Sequence, residues 1–410
     1  MHYRLHEIDL GRLPEPFFLD QGEAGIGVVF RDRGRIVGFK MVDRADLGAT
    51  AEVDPAALVD DEVRIAMGIA RLRDELGTPS AAEGPTLTVA ICSKDGAARV
   101  ARLLQSLEPL RRTARFEVLV VDNASSDNSL RLVCSAHAWV RYMVEPLAGL
   151  NFARNRAVEE AKGTIVAFLD DDVVVDPRWL HGVQRAWREN PDAGCVTGPV
   201  LPLALDTEAQ ILFEKAGGFR RGFRPIRYGG DRYDAAFYPC SAGQFGAGAN
   251  MSLRRELVLA LGGFDDALDT GKPLPGGGDL DIFYRVVRSG ATLAYEPEAA
   301  VYHEHRRELE ALRRQYYTWG TGFMAYVAKS MRSDPARAGQ FRALIIYWFC
   351  WQMKRMAKQL AGREATPLSM ILGEVWGGVV GICGEYDRSR RRVALLRAET
   401  AGAERKELCR

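Results

Sequence analysis

The run Thr164-Ile165-Val166-Ala167-Phe168-Leu169-Asp170-Asp171-Asp172-Val173 ends an apolar, strand-forming stretch on three adjacent carboxylates. Such carboxylates repel one another unless positive charge sits among them. A hard divalent cation, Mg²⁺ or Mn²⁺, itself bound to substrate phosphates, is the natural occupant. The competing expectation is that the aspartates only solvate a strand end and start a turn. Asp176-Pro177 downstream is structural: an N-cap followed by proline opens the helix that carries Trp179 and Leu180.

The elements around this run decide between the two. An apolar, β-branched stretch of this kind is a strand buried on both faces, as in a parallel sheet. Leu87-Thr88-Val89-Ala90-Ile91-Cys92 and Phe116-Glu117-Val118-Leu119-Val120-Val121 are similar strands, and 140–144 is a shorter one. Amphipathic helices are expected over 96–107, 127–137 and 151–162. This alternation predicts a doubly wound, mostly parallel α/β sheet. Ligands bind outside the carboxyl ends of such strands, so the loops after Cys92 and Val121 converge on the triple aspartate. After Gly198 the periodicity weakens into glycine-rich segments, Gly243-Gln244-Phe245-Gly246-Ala247-Gly248-Ala249-Asn250 and Gly276-Gly277-Gly278-Asp279. No Gly-Lys-Ser/Thr follows the first of these, so it is no phosphate-binding P-loop.

Three units are expected. Residues 1–84 combine a β-hairpin about Arg31-Asp32-Arg33-Gly34 with an amphipathic helix over 55–76, closed by a Gly77-Thr78-Pro79-Ser80 linker. Residues 85–330 form the sheet domain, and 331–410 a basic helical extension. The net charge of +1 argues against a nucleic-acid partner. It hides an asymmetry: from His305 onward 20 Lys+Arg face 10 Asp+Glu, so the tail suits an anionic surface. Seven scattered cysteines without a CxxC pair argue against structural zinc and a disulfide framework. No secretion signal is evident, and the longest apolar candidate, 343–351, is too short to span a bilayer. A cytoplasmic location is the expectation. Aromatics in that run beside Lys354, Arg355 and Lys358 suit peripheral contact with the cytoplasmic membrane face, a core helix or a homo-oligomer contact.

In this order the motifs resemble the family 2 glycosyltransferases of GT-A fold. Ile91-Cys92-Ser93-Lys94-Asp95 resembles the family's opening strand and loop, and Val120-Val121-Asp122-Asn123-Ala124-Ser125-Ser126-Asp127 its second-strand segment. Gly149-Leu150-Asn151-Phe152-Ala153-Arg154-Asn155-Arg156 resembles the start of its third helix. Phe168 to Asp172 resembles its DxD-type motif, and Gly262-Gly263-Phe264-Asp265 and Gly278-Asp279-Leu280-Asp281 its acceptor-side segments. The resemblance covers about 85–325. One departure stands out: the family's usual Glu before the catalytic Asp is Gly278 here.

The resemblance implies a metal-dependent, inverting transfer of a sugar from a UDP-, GDP- or dTDP-linked donor to a hydroxyl of a glycan, lipid-linked or small-molecule acceptor. Asp172 and His303, which follows Asp279 by 24 residues, are the implied metal ligands. Asp170 is a further ligand or lies near the ribose, with Asp171. His305 is the fallback ligand. Asp279 is the implied base, with Asp281 anchoring its helix. Ser93, Asp95 and Asp122 are placed for the base and ribose, Arg154 or Lys162 for the nucleotide or diphosphate, and Arg156 on a solvated helix face. Two other classes remain: a nucleotide-sugar-binding partner subunit without turnover, and a nucleotidyltransferase. The latter normally has a glycine-rich basic loop after the first strand, for which Ser93-Lys94-Asp95-Gly96 is too short.

Overall fold

Strand and helix alternate from residue 87 to residue 170 in the computed structural model, which describes residues 2–77, 84–229, 236–271 and 274–408. The elements are β6 (Leu87–Ser93), α2 (Ala97–Thr113), β7 (Glu117–Asn123), α3 (Ser129–Ser135), β8 (Val140–Glu145), α4 (Leu150–Glu160) and β9 (Ile165–Asp170). They follow five N-terminal strands, β1 (His2–Asp9), β2 (Phe17–Phe18), β3 (Glu23–Asp32), β4 (Arg35–Asp43) and β5 (Glu52–Val53), and a helix, α1 (Asp61–Leu76). β6 is buried along its whole length. Val89 and Ile91 enter the apolar cluster on one face of the sheet, Ala90 and Cys92 that on the other. Full burial of a side chain the size of Val89 or Ile91 contributes about 1.5–3 kcal/mol.

β9, β6, β7 and β8 pair in parallel. The register sets Cys92 beside Asp170 and Ser93 beside Asp122, so the three polar loops share one edge, as the alternation implies. Beyond β9 the chain makes β10 (Val173–Val175), α5 (Trp179–Glu189), β11 (Ala193–Thr197), β12 (Val200–Pro202), α6 (Glu208–Lys215), β13 (Ile226–Tyr228), β14 (Asn250–Arg254) and α7 (Arg255–Ala260). Then come α8 (Gly278–Arg288), β15 (Thr292–Tyr295) and β16 (Val301–His303). Among the described residues the main sheet has eight strands in the order β13-β15-β11-β14-β9-β6-β7-β8. β14, unmarked by periodicity, enters it antiparallel between β9 and β11. It brings the glycine segment 243–249 to the aspartate edge, where the Asp170 N–H donates to the Ala249 carbonyl at 3.3 Å.

The N-terminal hairpin forms as expected. Arg33 and Gly34 both have positive φ, 50° and 81°, as a tight turn between β3 and β4 requires. α1 begins later than its apolar pattern suggests, because the Asp60 carboxylate accepts from the Val63 N–H at 3.0 Å and caps it there. The unit is not a free appendage. Ile26, Val28 and Phe30 share a core with Leu201, Phe223 and Ala300. Arg31 binds Asp176 at 2.6 Å, and Arg73 binds Glu296 at 2.7 Å. Most of the expected linker, 78–83, lies outside the described residues.

The C-terminal boundary expected at 330 cuts a continuous helix, α9 (Leu309–Ser333), followed by α10 (Ala338–Leu360), α11 (Leu368–Val380) and α12 (Tyr386–Leu408). α9 and α11 touch through glycine. A Cβ on Gly320 would stand 2.0 Å from the Glu374 carbonyl oxygen, and one on Gly377 2.0 Å from that of Tyr317. The helical extension therefore starts at 309 and packs onto the sheet domain as a further layer. The segment Leu368–Thr400 is long and apolar enough to cross a membrane by length and composition, although no uninterrupted apolar run marks it in the sequence. It breaks at Cys383 and Gly384, the latter with φ 95°.

Candidate active site

One strand pairing makes the centre of the site. β10 runs antiparallel to β16 with Val173 opposite His303, and the Glu304 N–H donates to the Asp172 carbonyl at 2.9 Å. The imidazole is thereby delivered to the triple aspartate: His303 Nε2 stands 3.3 Å from Asp172 Oδ1. That contact lies outside hydrogen-bond geometry, and Asp172 Oδ1 is buried without a hydrogen-bond partner. Two ligands, each about 2.1 Å from one cation and at right angles, stand about 3 Å apart. The pair therefore fits a shared divalent cation. Among the described residues no group of three or more His, Cys, Asp or Glu is gathered as a ready metal cluster, so the remaining positions would fall to Asp170, substrate or water.

The three aspartates have different fates. Asp171 turns away from the cleft. Arg99 grips it with two hydrogen bonds of 2.9 Å, and the Ser93 hydroxyl donates to it. Asp172 and Asp170 line the cleft. Burial raises the Asp170 carboxyl above the usual range, with Asp172 adding to the shift and Arg154 opposing it. Burial opposes ionisation of Asp172 too, but His303, Arg306 and Arg99 outweigh it and hold that carboxyl low. One neighbour thus remains a firm anion while the other is proton-hungry.

Asp279 sits in the first turn of α8, and its Oδ2 accepts from the Gly248 N–H at 3.1 Å. A Cβ on Gly248 would come within 3.0 Å of Asp279 and 3.1 Å of Arg154, so the glycine lets both side chains approach the loop. Asp281 is buried and bound by Arg285 at 2.7 Å and by Lys329. It anchors the helix, as expected.

The Gly278 departure has a steric reason. A Cβ there would meet Asp269 Oδ2 at 2.3 Å and Asn151 at 2.4 Å, and the Gly278 N–H donates to Asp269 Oδ2 at 3.0 Å. Asp269, which no sequence pattern marks, thus supplies a second carboxylate beside Asp279. Burial pushes it up to about 6 against the pull of Arg154, with the Asp279 charge adding to the rise. Arg154 is buried, 3.2 Å from Asp269 and 3.8 Å from Asp170. Its neighbour Asn155 holds the GGFD loop: Asn155 Oδ1 accepts from the Phe264 N–H at 2.7 Å, and its Nδ2 donates to the Phe264 carbonyl at 2.9 Å.

Other candidates lie elsewhere. Asp122 accepts from the Ser125 N–H at 2.9 Å and the Tyr142 hydroxyl at 2.6 Å, and Asp95 from the Ser126 N–H at 2.7 Å. Together with Ser93 they shape the loops after β6 and β7, at the same sheet edge as the aspartates and beside the cleft rather than in its lining. Lys162 is a clear correction. Its N–H donates to Glu117 at the start of β7, at the opposite edge of the sheet from the aspartates, because it precedes β9. Arg156 forms a helix-surface ion pair with Glu160 at 3.1 Å. His305 is no fallback ligand: its Nδ1 meets His303 Nδ1 at 3.0 Å and its Nε2 meets Glu214 at 2.7 Å. Burial lowers its pKa, against the pull of Glu214.

The cleft holds about 540 Å³. Its polar part includes Arg154, Asp170, Asp172, Arg221, Asp269, Asp279, His303 and Arg306, beside the glycine segments 243–249 and 276–277. Another part is lined by Phe219 and by the C-terminal helices through Gln315, Thr318, Trp319, Phe323, Trp348 and Glu374. Phe323 and Trp348 stack at 6.0 Å, and Trp319 meets Phe219 at 5.7 Å. Sequence patterning did not implicate these rings, since aromatics at helical spacing are ordinary core residues.

Residues 88–258 match the family described as Glycosyl transferase family 2. A pre-mycofactocin glycosyltransferase of Mycobacterium tuberculosis is 27% identical over 271 residues, which cover 63% of this chain and 52% of that protein. The succinoglycan biosynthesis protein ExoM of Rhizobium meliloti is 29% identical over 230 residues, 54% of this chain and 69% of its own. The chain thus spans about half the length of the first of these curated relatives. Among solved structures, the mannosyltransferase PcManGT from Pyrobaculum calidifontis, in complex with GDP-Man and Mn²⁺, superposes with a TM-score of 0.48 at 16% identity. The match covers 77% of this chain and 94% of that one.

Proposed function

We propose that this chain, whose residues 88–258 match glycosyl transferase family 2, transfers a sugar from a nucleotide-sugar donor to an acceptor hydroxyl, with a divalent metal and inversion at the anomeric carbon. The observation that carries the reading is the Asp172–His303 pair, whose buried Oδ1 has no hydrogen-bond partner, in a cleft that also presents Asp279.

Asp172 and His303 would hold Mg²⁺ or Mn²⁺, with Asp170 beside them. When bound, the ion supplies neutralisation of the diphosphate charge as the glycosidic bond breaks. Arg306 stands half-exposed 3.7 Å from Asp172, where its guanidinium would add positive charge beside the diphosphate. Arg154 balances Asp170 and Asp269, which keeps a carboxylate-rich cleft open to an anionic donor. Asp279 accepts the proton of the acceptor hydroxyl as that oxygen bonds to the anomeric carbon and the bond to diphosphate breaks on the other side. Asp279 keeps a lone pair for this work because its protein partners are single backbone N–H donors, of Gly248 and Leu280. Ser93, Asp95, Asp122 and Asp171 then serve the donor through loop shape, and the nucleotide stays unspecified among UDP, GDP and dTDP.

The acceptor belongs to the aromatic part of the cleft. The relatives, a pre-mycofactocin glycosyltransferase and a succinoglycan biosynthesis protein, are in keeping with sugar transfer but point to no common acceptor. Ile346, Tyr347, Trp351 and Met353 on α10, with Leu372 and Trp376 on α11, are exposed beside this part. They support peripheral contact with a membrane that carries a lipid-linked acceptor. Co-sedimentation with anionic vesicles tests that contact: retention that weakens at high salt is expected, and a protein that stays in solution at both salts excludes it. For the reaction itself, nucleotide sugars are screened with Mn²⁺, Mg²⁺ or chelator. Release of nucleoside diphosphate from one donor, abolished by chelator, is the expected result. Binding without release would favour the partner-subunit reading, and pyrophosphate release a nucleotidyltransferase.

A further inference from the structure

Behind His303 runs a buried chain of polar groups that the transfer reaction does not use. His303 Nδ1 meets His305 Nδ1 at 3.0 Å, His305 Nε2 meets Glu214 Oε1 at 2.7 Å, and Arg220 pairs with the other Glu214 oxygen at 2.6 Å. His305 is 3% exposed and Glu214 2%, so the two inner groups of the chain do not exchange their partners for water.

Only one of the two Nδ1 atoms can carry the hydrogen between the rings. If His305 supplied it while neutral, His305 Nε2 would be bare and Glu214 would have to be protonated beside the Arg220 guanidinium. His303 would then carry its own hydrogen on Nε2, aimed at Asp172 Oδ1 3.3 Å away, and that carboxylate would be paired with a proton rather than with a cation. In the other arrangement the Glu214 carboxylate accepts from His305 Nε2–H, and His305 Nδ1 accepts from His303 Nδ1–H. His303 Nε2 is left as a lone pair facing the unpartnered Asp172 oxygen. Two lone pairs 3.3 Å apart repel each other unless a cation lies between them.

We propose that His305 and Glu214, with Arg220 behind them, are positioning residues that lock His303 in the tautomer whose Nε2 binds the metal. The inference rests on the metal reading above. It assigns a role to α6, which carries Glu214, and explains why a buried carboxylate lies beneath a strand end. Partners of this kind typically change metal affinity by about 10–100-fold.

The full chain, labelled with ¹⁵N-histidine and free of metal, gives the direct test. Long-range ¹H–¹⁵N spectra should show His303 protonated at Nδ1 and His305 at Nε2; a His303 protonated at Nε2 overturns the proposal. Mn²⁺ binding, read by electron paramagnetic resonance with UDP, GDP or dTDP present, gives the second readout. His305→Phe keeps a ring against Phe213 and Phe219 and should weaken Mn²⁺ binding by about 10–100-fold. Glu214→Gln, which retains an acceptor, should weaken it less. Should either variant fail to fold, the wild-type spectra still decide. Unchanged Mn²⁺ affinity in a folded His305→Phe protein, with Asp172→Ala abolishing binding, overturns the relay and leaves the metal reading standing. No Mn²⁺ binding by the wild type overturns the metal reading itself.

Discussion

Asp172 and Trp348 line the same cleft, but strand pairing holds the one and helices touching through glycine hold the other. In the polar part, β9, β10 and β16 position Asp170, Asp172 and His303 by backbone register, and mutual charge tunes the side chains. In the aromatic part the rings stand on α9 and α10, and α9 reaches α11 at Gly320 and Gly377. In the proposed reaction the chemistry rests on a strand-paired scaffold, and selection of the acceptor on a helical layer whose geometry depends on a few close contacts. A family of reactions could keep the first part and vary the second.

The largest expected effect lies in the polar part. Asp279→Asn removes proton acceptance and little else, so kcat should fall by about 10²–10⁴ while donor affinity stays within a few-fold. Steady-state kinetics with a donor titration checks both. Turnover near wild type would hand the base to Asp269, the other carboxylate beside Gly278, and blur the division between held ligands and tuned neighbours.

Gly377→Val strikes the aromatic part at its support. The new side chain would start 2.0 Å from the Tyr317 carbonyl oxygen, a backbone atom that cannot yield alone. The cost should exceed the usual ~1–3 kcal/mol of overpacking and appear as a lowered Tm in a thermal melt. Donor binding in the protein that remains folded should be nearly unchanged. Equal loss of donor and acceptor binding would show that the two parts are one mechanical unit.

The smallest effect sharpens the comparison most. Trp348→Ala removes the stacking partner of Phe323 and should raise the acceptor KM by about tenfold, the ~1.4 kcal/mol expected of one aromatic contact. The donor KM should not move. A change in donor KM alone would reassign the aromatic part to the nucleotide.

The two parts also differ in how far they can be read from sequence. The parallel strands and the convergence of their loops were legible, because strand periodicity reports local physics; Asp172, His303 and Asp279 were singled out by the resemblance of ordered motifs, and the structure brings the three to one cleft. The aspartate run did not show that Asp171 would turn to Arg99, since that depends on an arginine 72 residues away in the chain. Lys162 was misplaced although the sequence sets it before the strand run, and so at the edge away from the aspartates. Asp269 was invisible for the opposite reason: it matters only because Gly278 leaves room for it. The helical layer read as an appendage, since Gly320 and Gly377 look like helix weakeners until their opposing backbones are seen. The antiparallel β14 carries too short an apolar run to announce a central strand.

The central claim is that Asp172 and His303 share a divalent cation with the donor. Mn²⁺ titration of wild type and Asp172→Ala, each with the donor identified by turnover, tests it most directly. The account predicts saturable Mn²⁺ binding and Mn²⁺-dependent turnover in the wild type, with both weakened by about a hundredfold or more in the variant. Asp172→Ala protein that binds Mn²⁺ and turns over within a few-fold of wild type would contradict it.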